Sequence, residues 1–174
     1  DYLELLEPLV MVEIEERKVH VRAWCYRVKG ASGAEVPVYL LDTDVPENTA
    51  WDRTLTDHLY GGDEHYRICQ EAVLGIGGIR ILSELGYTQL QGFHMNEGHS
   101  SFLALALLEL RLGGRDLGTA IESDIEAVRS RCIFTTHTPV PAGHDKFSRS
   151  LVTQVLGEHW VSVLEATHCC PEGV

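Results

Sequence analysis

The sequence has little positive charge, no long apolar run and no signal peptide at its start. A membrane-spanning helix needs about 20 consecutive apolar residues, whereas the longest apolar run here, Phe102–Leu108, has only the length of a core helix. The formal net charge of -12 argues against nucleic acid as a partner, because phosphate backbones bind basic surfaces. We therefore expect a chain that acts on neither membranes nor nucleic acids.

The five cysteines form no repeat typical of a metal site or of a disulfide framework. Cys25, Cys69 and Cys132 lie within apolar patterns, which is typical of small buried side chains. The adjacent Cys169 and Cys170 are not expected to bridge to each other, because such a bridge is strained. A reducing, cytoplasmic location is the simplest expectation. The chain begins without a methionine, inside an amphipathic pattern, as expected of a piece of a longer protein.

Two familiar patterns for phosphate and metal binding are also missing. The glycine-rich segment Gly75–Gly78 lacks the G-x-G-x-x-G spacing and lies within a helical pattern, which favours close helix packing over phosphate binding. The side chains that could bind a metal ion lie near two strand ends; they are His94, Glu97, His99, His137 and His144. Their H-x-x-E-x-H spacing differs from H-E-x-x-H on one helix face, so we expect no metal site among them.

The first part of the chain predicts strands, and the remainder alternates helices with strands. Apolar and polar side chains alternate between 19 and 26, which is typical of a strand with two different faces. With Val10–Ile14 this strand predicts a β-hairpin, and Val36–Leu41 predicts a third strand. Further predicted elements are helices at 64–85, 100–112, 117–130 and 149–159, and strands at 90–94 and 132–136. Such alternation is typical of parallel strands joined by helices, so we expect an α/β fold with a Rossmann-like half.

Two polar segments follow predicted buried strands. One is His94–Phe102, and the other is Phe134–Phe147. Ligands bind at the carboxyl ends of strands in open α/β sheets, so the two segments predict one shared site. Their asparagine, glutamate, histidine and hydroxyl groups would form a polar lining suited to a sugar.

Three features of the sequence allow more than one interpretation. His137 could simply end a strand, but its threonine neighbours and the prolines that follow predict a rigid loop that holds it for a polar contact. Glu97 could stabilise the start of the next helix, could contribute to the site, or could do both. Arg67 and Glu71, four residues apart on a predicted helix, could form a plain surface ion pair.

Five motifs, in order, resemble the α-glucan (glycogen, starch or maltodextrin) phosphorylase family. They are LDTDVPEN at 41–48, DHLYGGD at 57–63, RICQE running into GIGG at 67–78, HMNEGHS at 94–100 and TTHTPVPAGHD at 135–145. The similar region extends from about Val10 to Leu156, which is most of the chain. Several long motifs in the same order make the resemblance specific.

The resemblance implies a two-domain GT-B glycosyltransferase with Rossmann-like domains that face each other across a cleft. Residues 1–160 would be part of its N-terminal domain, with the β-hairpin region at the start, and 161–174 would be an unassigned tail. Such enzymes use orthophosphate to cleave terminal α-1,4 glucosyl units from a glucan, and they release glucose 1-phosphate with retained configuration. Their cofactor is pyridoxal phosphate, whose 5′-phosphate exchanges a proton with the substrate phosphate.

The resemblance also implies roles for individual residues. His137 corresponds to the catalytic histidine that hydrogen-bonds the reacting glucosyl unit, and Asn96, Glu97 and His99 correspond to the motif that lines the donor-sugar side of the cleft. The remaining implied substrate-binding residues are Thr138 and Arg67. Polar groups at these places would stabilise an oxocarbenium-like transition state.

Other parts of the family pattern are missing from this chain. It lacks the glycine-rich phosphate loop, and none of Lys18, Lys29 and Lys146 lies in a sequence like that of the cofactor lysine. We therefore expect the isolated chain to be inactive and to need the C-terminal domain of the same protein. Two alternatives stay open: a nucleotide-sugar glucosyltransferase that resembles glycogen synthase, and a non-catalytic carbohydrate-binding remnant.

Overall fold

The computed structural model describes residues 2–59, 61–139 and 145–166. The chain begins with a three-stranded antiparallel sheet of β1 (Glu4–Ile14), β2 (Arg17–Lys29) and β3 (Glu35–Asp42), in that order. The predicted hairpin and third strand are confirmed, and each strand is longer than predicted. Glu15 and Glu16 form the hairpin turn with positive φ angles of 51° and 62°, which a tight two-residue turn requires.

The two faces of this sheet differ in what covers them. The centre of the inner face is fully buried against the helices; it consists of Val12, Ile14, Val19, Val21 and Ala23. The outer face stays apolar but exposed; it carries Leu9, Met11, Tyr26, Val28, Val36, Val38 and Leu40. Alternation along the strands therefore places apolar side chains on both faces of the sheet.

A long helical region crosses the inner face of this sheet. It consists of α1 (Glu64–Ala72), a π-helical segment (Val73–Gly77) and α2 (Gly78–Glu84), and it matches the predicted helix at 64–85. The Asp63 side chain accepts the Tyr66 N–H at its start, and Gly86 follows its end with a φ angle of 87°.

The glycines inside this helical region serve packing, as the sequence predicted. A Cβ atom at Gly75 would lie 2.7 Å from the backbone nitrogen of Leu103, and one at Gly77 would lie 3.2 Å from Val12 Cγ2. Gly75 thus lets the helix approach the start of the next helix, and Gly77 lets it approach the sheet.

The second sheet has two parallel strands, β4 (Phe93–Asn96) and β5 (Cys132–Thr135), as the alternation predicted. Between them lie α3 (Leu103–Leu112) and α4 (Glu122–Arg129). Both helices begin later than predicted. The 3-10 turn Glu97–Ser100 and two further turn residues precede α3, and the 3-10 turn Leu117–Thr119 replaces the expected first turn of α4. In the second case the Asp116 side chain accepts the Gly118 N–H and closes a separate turn.

The interpretation of the second polar segment as the continuation of a buried strand is wrong for β5. Ile133 and Phe134 are 57% and 54% exposed. In a sheet of two strands each strand is an edge, and helices cover only part of its surface. Of the cysteines, Cys25 and Cys69 are buried as expected, whereas Cys132 is only half-buried.

The final predicted helix is in fact two helices, α5 (Arg149–Leu156) and α6 (Glu158–Ala166). Gly157, with a φ angle of 87°, separates them. Residues 161–166, which the sequence left unassigned, belong to α6, where Val161 and Val163 are buried. Cys169 and Cys170 lie outside the described residues. In the described ranges, no helix combines the length and apolar character that crossing a membrane would require.

Candidate functional site

The parallel pairing of β4 and β5 brings the two polar segments to one end of the sheet. Asn96 pairs with Thr135 at the last position of the register, so the residues that follow both strands are neighbours. A hydrogen bond between His94 Nε2 and Thr135 Oγ1 joins the two strands on their exposed side. The described parts of the two segments are therefore neighbours, and their contribution to one shared site stays a prediction.

Glu97 connects the two segments directly. Its carboxylate Oε1 accepts the backbone N–H of Thr138 at 2.9 Å and that of His137 at 3.4 Å. Glu97 is also one of the few non-glycine residues with a positive φ angle, 58°, which turns its side chain toward the loop after β5. Residues other than glycine rarely adopt this left-handed backbone conformation, because it costs free energy. The contacts around Glu97 must therefore stabilise it.

The environment of Glu97 keeps its carboxylate ionised. A hydrogen bond from the Thr138 side chain, together with the two backbone N–H groups, holds the pKa of Glu97 below its usual range, although burial acts in the opposite direction. His137 Nδ1 lies 3.8 Å from Oε1, and His99 Nε2 lies 3.8 Å from Oε2. The buried carboxylate therefore lies between two imidazoles, with His137 near one oxygen and His99 near the other.

The predicted site residues differ in accessibility. The His137 side chain is 62% exposed, so its ring can contact a ligand, and Asn96 is exposed as well. His99 is half-buried, with 21% of its side chain exposed. Five predicted residues thus lie at this end of the sheet: Asn96, Glu97, His99, His137 and Thr138. His144 lies outside the described residues.

Arg67, the sixth predicted site residue, lies on α1 and forms an ion pair with Asp145, beyond the end of β5. The interpretation of Arg67 and Glu71 as a surface ion pair is wrong, because Glu71 is only 7% exposed. Its α1 neighbours Ile68 and Ala72 are buried too, so this face of the helix points into the protein.

Glu71 and Asp145 are members of the site that sequence reasoning missed. Burial, followed by the negative charge of Asp145, raises the pKa of Glu71 to about 8, and the nearby Arg67 only partly opposes this effect. Three side-chain atoms lie within 4.8 Å of one another: a carboxylate oxygen of Glu71, a ring nitrogen of His99 and a carboxylate oxygen of Asp145. The sequence signal for each was its place in a motif, Asp145 at the end of the last one and Glu71 at the end of RICQE. The spacing of Glu71 from Arg67 also fits a surface ion pair, which concealed its burial.

A cavity of about 470 Å³ opens beside these residues. Its polar wall contains Arg67, Gln70, Glu71, His99 and Asp145, and its apolar wall contains Leu41, Leu55, Leu59 and Leu74. His99 belongs to both this wall and the Glu97 group. The two polar groups are therefore adjacent parts of one region.

The lysines of this chain do not form a site for a Schiff-base cofactor. Lys18 and Lys146 are exposed. The Lys29 side chain is 76% exposed, and its Nζ atom lies 3.2 Å from Glu35 Oε1. A lysine that binds an aldehyde cofactor needs a desolvated environment that lowers its pKa, which an exposed surface does not provide. Pyridoxal phosphate therefore does not fit the residues of this chain.

The fold and the site together define a mixed α/β chain with a polar ligand site at the carboxyl ends of two parallel strands. Comparison with known proteins identifies its relatives. The chain is 45% identical over 139 residues to a maltodextrin phosphorylase of Thermococcus litoralis. It is 39% identical over 158 residues to a glycogen phosphorylase of Mycobacterium tuberculosis, and 38% identical over 129 residues to one of Aquifex aeolicus.

These matches cover 80%, 86% and 74% of the chain, respectively. They confirm the resemblance to the α-glucan phosphorylases that the motifs indicated. The chain spans only 16 to 17% of the length of these relatives, and therefore corresponds to one segment of them. No family model matches the chain.

Proposed function

We propose that the chain is a segment of an α-glucan phosphorylase and supplies part of its donor-sugar site. The observation that supports this proposal is the position of the Glu97 carboxylate. It accepts the backbone N–H groups of His137 and Thr138 and lies beside the imidazoles of His137 and His99. The reaction would be phosphorolysis of a terminal α-1,4 glucosyl unit by orthophosphate, with release of glucose 1-phosphate.

In this proposal each residue of the group has a defined task. The exposed His137 ring hydrogen-bonds a hydroxyl of the reacting glucosyl unit, and Glu97 fixes the loop that carries it. Asn96, His99 and Thr138 line the donor-sugar side, and Arg67 contributes from α1. Preorganised groups of this kind lower a barrier because they need no rearrangement as charge develops on the sugar ring.

The exposed apolar surfaces of the chain support its membership in a larger protein. The outer face of the antiparallel sheet is apolar and exposed, and so is much of β5. Large exposed apolar patches mark surfaces that other parts of a protein cover. We propose that residues 1–160 belong to the Rossmann-like N-terminal domain of a two-domain GT-B enzyme, and that its C-terminal domain completes the site.

The whole protein, in this proposal, is cytoplasmic and uses pyridoxal phosphate held by residues outside this chain. When bound, the cofactor supplies the phosphate group that exchanges a proton with the substrate phosphate. The isolated chain is then inactive, since its own lysines do not form a cofactor site. The proposed partners are the glucan, orthophosphate and the C-terminal domain of the same protein.

The test is a phosphorolysis assay of the full-length gene product with maltodextrin and phosphate, with and without pyridoxal phosphate. We expect cofactor-dependent release of glucose 1-phosphate. The His137→Ala variant should lose about 100-fold or more in kcat, the typical cost of one well-placed donor to a transition state. His159→Ala, which changes an exposed histidine on α6, is the matched control and should keep full activity.

Two results would contradict the proposal. Glucosyl transfer from a sugar nucleotide, without phosphorolysis, would assign the protein to the synthase-like class instead. Unchanged kcat in the His137→Ala variant would remove the role given to that residue.

A further inference from the structure

We propose that Glu71, His99 and Asp145 form a binding site for one divalent metal ion, with Zn²⁺ as the best-suited cation. The site lies where α1, the turn Glu97–Ser100 and the segment before α5 meet, at the polar wall of the cavity. It adjoins the group around Glu97 and shares His99 with it, and Zn²⁺ binding there does not depend on the phosphorylase function.

The geometry of the three side chains is close to that of a metal site. One atom of each lies within 4.8 Å of the other two. Ligand atoms that bind Zn²⁺ at about 2.1 Å lie roughly 3 to 4 Å apart in a tetrahedral site. Small side-chain rotations would therefore bring an imidazole nitrogen and two carboxylate oxygens to binding distance.

Glu71 supplies an independent indication that a ligand belongs here. The residue is only 7% exposed, and its Oε1 atom has no hydrogen-bond partner among the described residues. A buried carboxylate oxygen without a donor is costly, because it has lost its water and gained nothing in return. A cation between Glu71 and Asp145 would satisfy this oxygen.

The surrounding charges leave room for a cation. Two carboxylates, Glu71 and Asp145, share the single guanidinium of Arg67, which pairs with Asp145 Oδ2. A carboxylate has two oxygens, so Asp145 can keep Arg67 at one and bind a metal ion with the other. The positive charge of Arg67 weakens cation binding, and the second carboxylate offsets it.

His99 already has the neighbour that metal-binding histidines commonly have. Its Nε2 atom lies 3.8 Å from the Glu97 carboxylate. A carboxylate that accepts a hydrogen bond from one ring nitrogen orients the imidazole and raises the basicity of the other nitrogen toward a metal ion. Glu97 would take this role if the ring moved closer to it as the metal ion binds. Three protein ligands would leave a fourth position, and the adjoining cavity of about 470 Å³ gives water and the cation access to it.

The proposal is tested by titrating Zn²⁺ into the purified, metal-free protein and measuring the heat of binding. Cysteine thiolates are strong Zn²⁺ ligands, so the adjacent Cys169 and Cys170 are first changed to serine to remove this competing source of binding. We expect one Zn²⁺ per chain at this site, and a loss of at least tenfold in affinity in Glu71→Gln. Glu64→Gln, an exposed position on the same helix, is the matched control and should keep the affinity unchanged.

A second variant guards against a folding defect in Glu71→Gln. His99→Gln changes a half-buried side chain and should also lose at least tenfold in affinity, while circular dichroism shows the helical content retained. Zn²⁺ should raise the melting temperature of the parent and control proteins but not of these two variants. Equal Zn²⁺ affinity in the parent, Glu71→Gln and His99→Gln would overturn the proposal, as would the absence of a site with one-to-one stoichiometry.

Discussion

Glu97 and Glu71 are both buried glutamates of the same polar region, yet their carboxyl groups behave in opposite ways. Glu97 accepts hydrogen bonds from the loop after β5, and its pKa is lowered. Glu71 has an oxygen without a donor and a carboxylate neighbour, and its pKa is raised to about 8. Burial alone therefore does not set the charge of these groups, because hydrogen-bond donors offset it at Glu97 and a second carboxylate adds to it at Glu71.

The local structure explains why the two residues differ. Glu97 lies at a strand end, where the backbone N–H groups of the neighbouring loop are free to donate to it. Glu71 lies within a helix, where backbone N–H groups already bond within the helix. The loop N–H groups at the strand end thus stabilise the ionised carboxylate of Glu97. The carboxyl group of Glu71 has no such donors, so a proton or a cation is needed to stabilise it.

The largest expected effect concerns the pH dependence of stability at Glu71, measured with metal removed by chelation. Its pKa is about 8 in the folded protein and near 4.5 when unfolded, so between these values the folded state holds an extra proton. Its contribution is complete below about pH 4.5, declines as pH rises, and is lost above about pH 8. The free energy of unfolding of Glu71→Gln, relative to the parent, should therefore rise by a few kcal/mol across this window.

Urea unfolding at several pH values measures this difference, with Glu64→Gln as the matched control. The groups that face Glu71 are Asp145, Arg67 and His99, so the same titration of Asp145→Asn separates their contribution. Parallel stability curves for the parent and Glu71→Gln between pH 5 and 8 would contradict the contrast between the two glutamates.

The next effect is expected at Glu97, with the opposite pH dependence. Glu97→Ala leaves the N–H groups of His137 and Thr138 without their acceptor, and should lower the melting temperature by about 5 to 10 °C at neutral pH. The pKa of Glu97 is lowered on folding, so its contribution is present above its unfolded pKa and is lost as pH falls. The deficit of the variant should therefore shrink in acid.

Thermal unfolding followed by circular dichroism measures the Glu97→Ala effect. Glu84→Ala, at an exposed position on α2, is the control and should leave the melting temperature unchanged. A deficit that stays constant down to pH 3 would mean that the charge of Glu97 does not stabilise the loop.

The smallest effect is expected from Thr138→Val. This change removes the hydroxyl that hydrogen-bonds Glu97 but keeps the backbone N–H that donates at 2.9 Å. The melting temperature should fall by only about 1 to 3 °C, and the pKa of Glu97, followed by NMR, should move toward its usual value. No movement of that pKa would show that the backbone donors alone hold the carboxylate ionised.

Much of the fold could be predicted because local sequence patterns indicate its strands, its helices and their order. Alternating residues in β2 predicted its two faces, and the alternation of helices with strands predicted the parallel pairing of β4 with β5. Boundaries were less predictable, because a single side chain such as Asp116 can close a short turn where a helix would otherwise begin. The burial of β5 was predicted wrongly, since exposure depends on which neighbours cover a strand.

The candidate site was predictable to the extent that its residues follow strands. Glu97 and His137 were found because strand ends in an α/β fold converge, and the sequence places both residues at such ends. The burial of Glu71 was missed because its spacing of one helical turn from Arg67 is the same on an exposed face and on a buried face. The contact of Arg67 with Asp145, far apart in sequence, gave no local signal.

The sequence by itself determined the order of strands and helices, the two polar segments and the resemblance to α-glucan phosphorylases, because side-chain periodicity and linear motifs are properties of the chain. Only the tertiary structure decided which of the two glutamates is ionised and which one is buried beside a second carboxylate, Asp145. The physical reason is that charge depends on desolvation and on nearby donors, and both arise from residues brought together by folding.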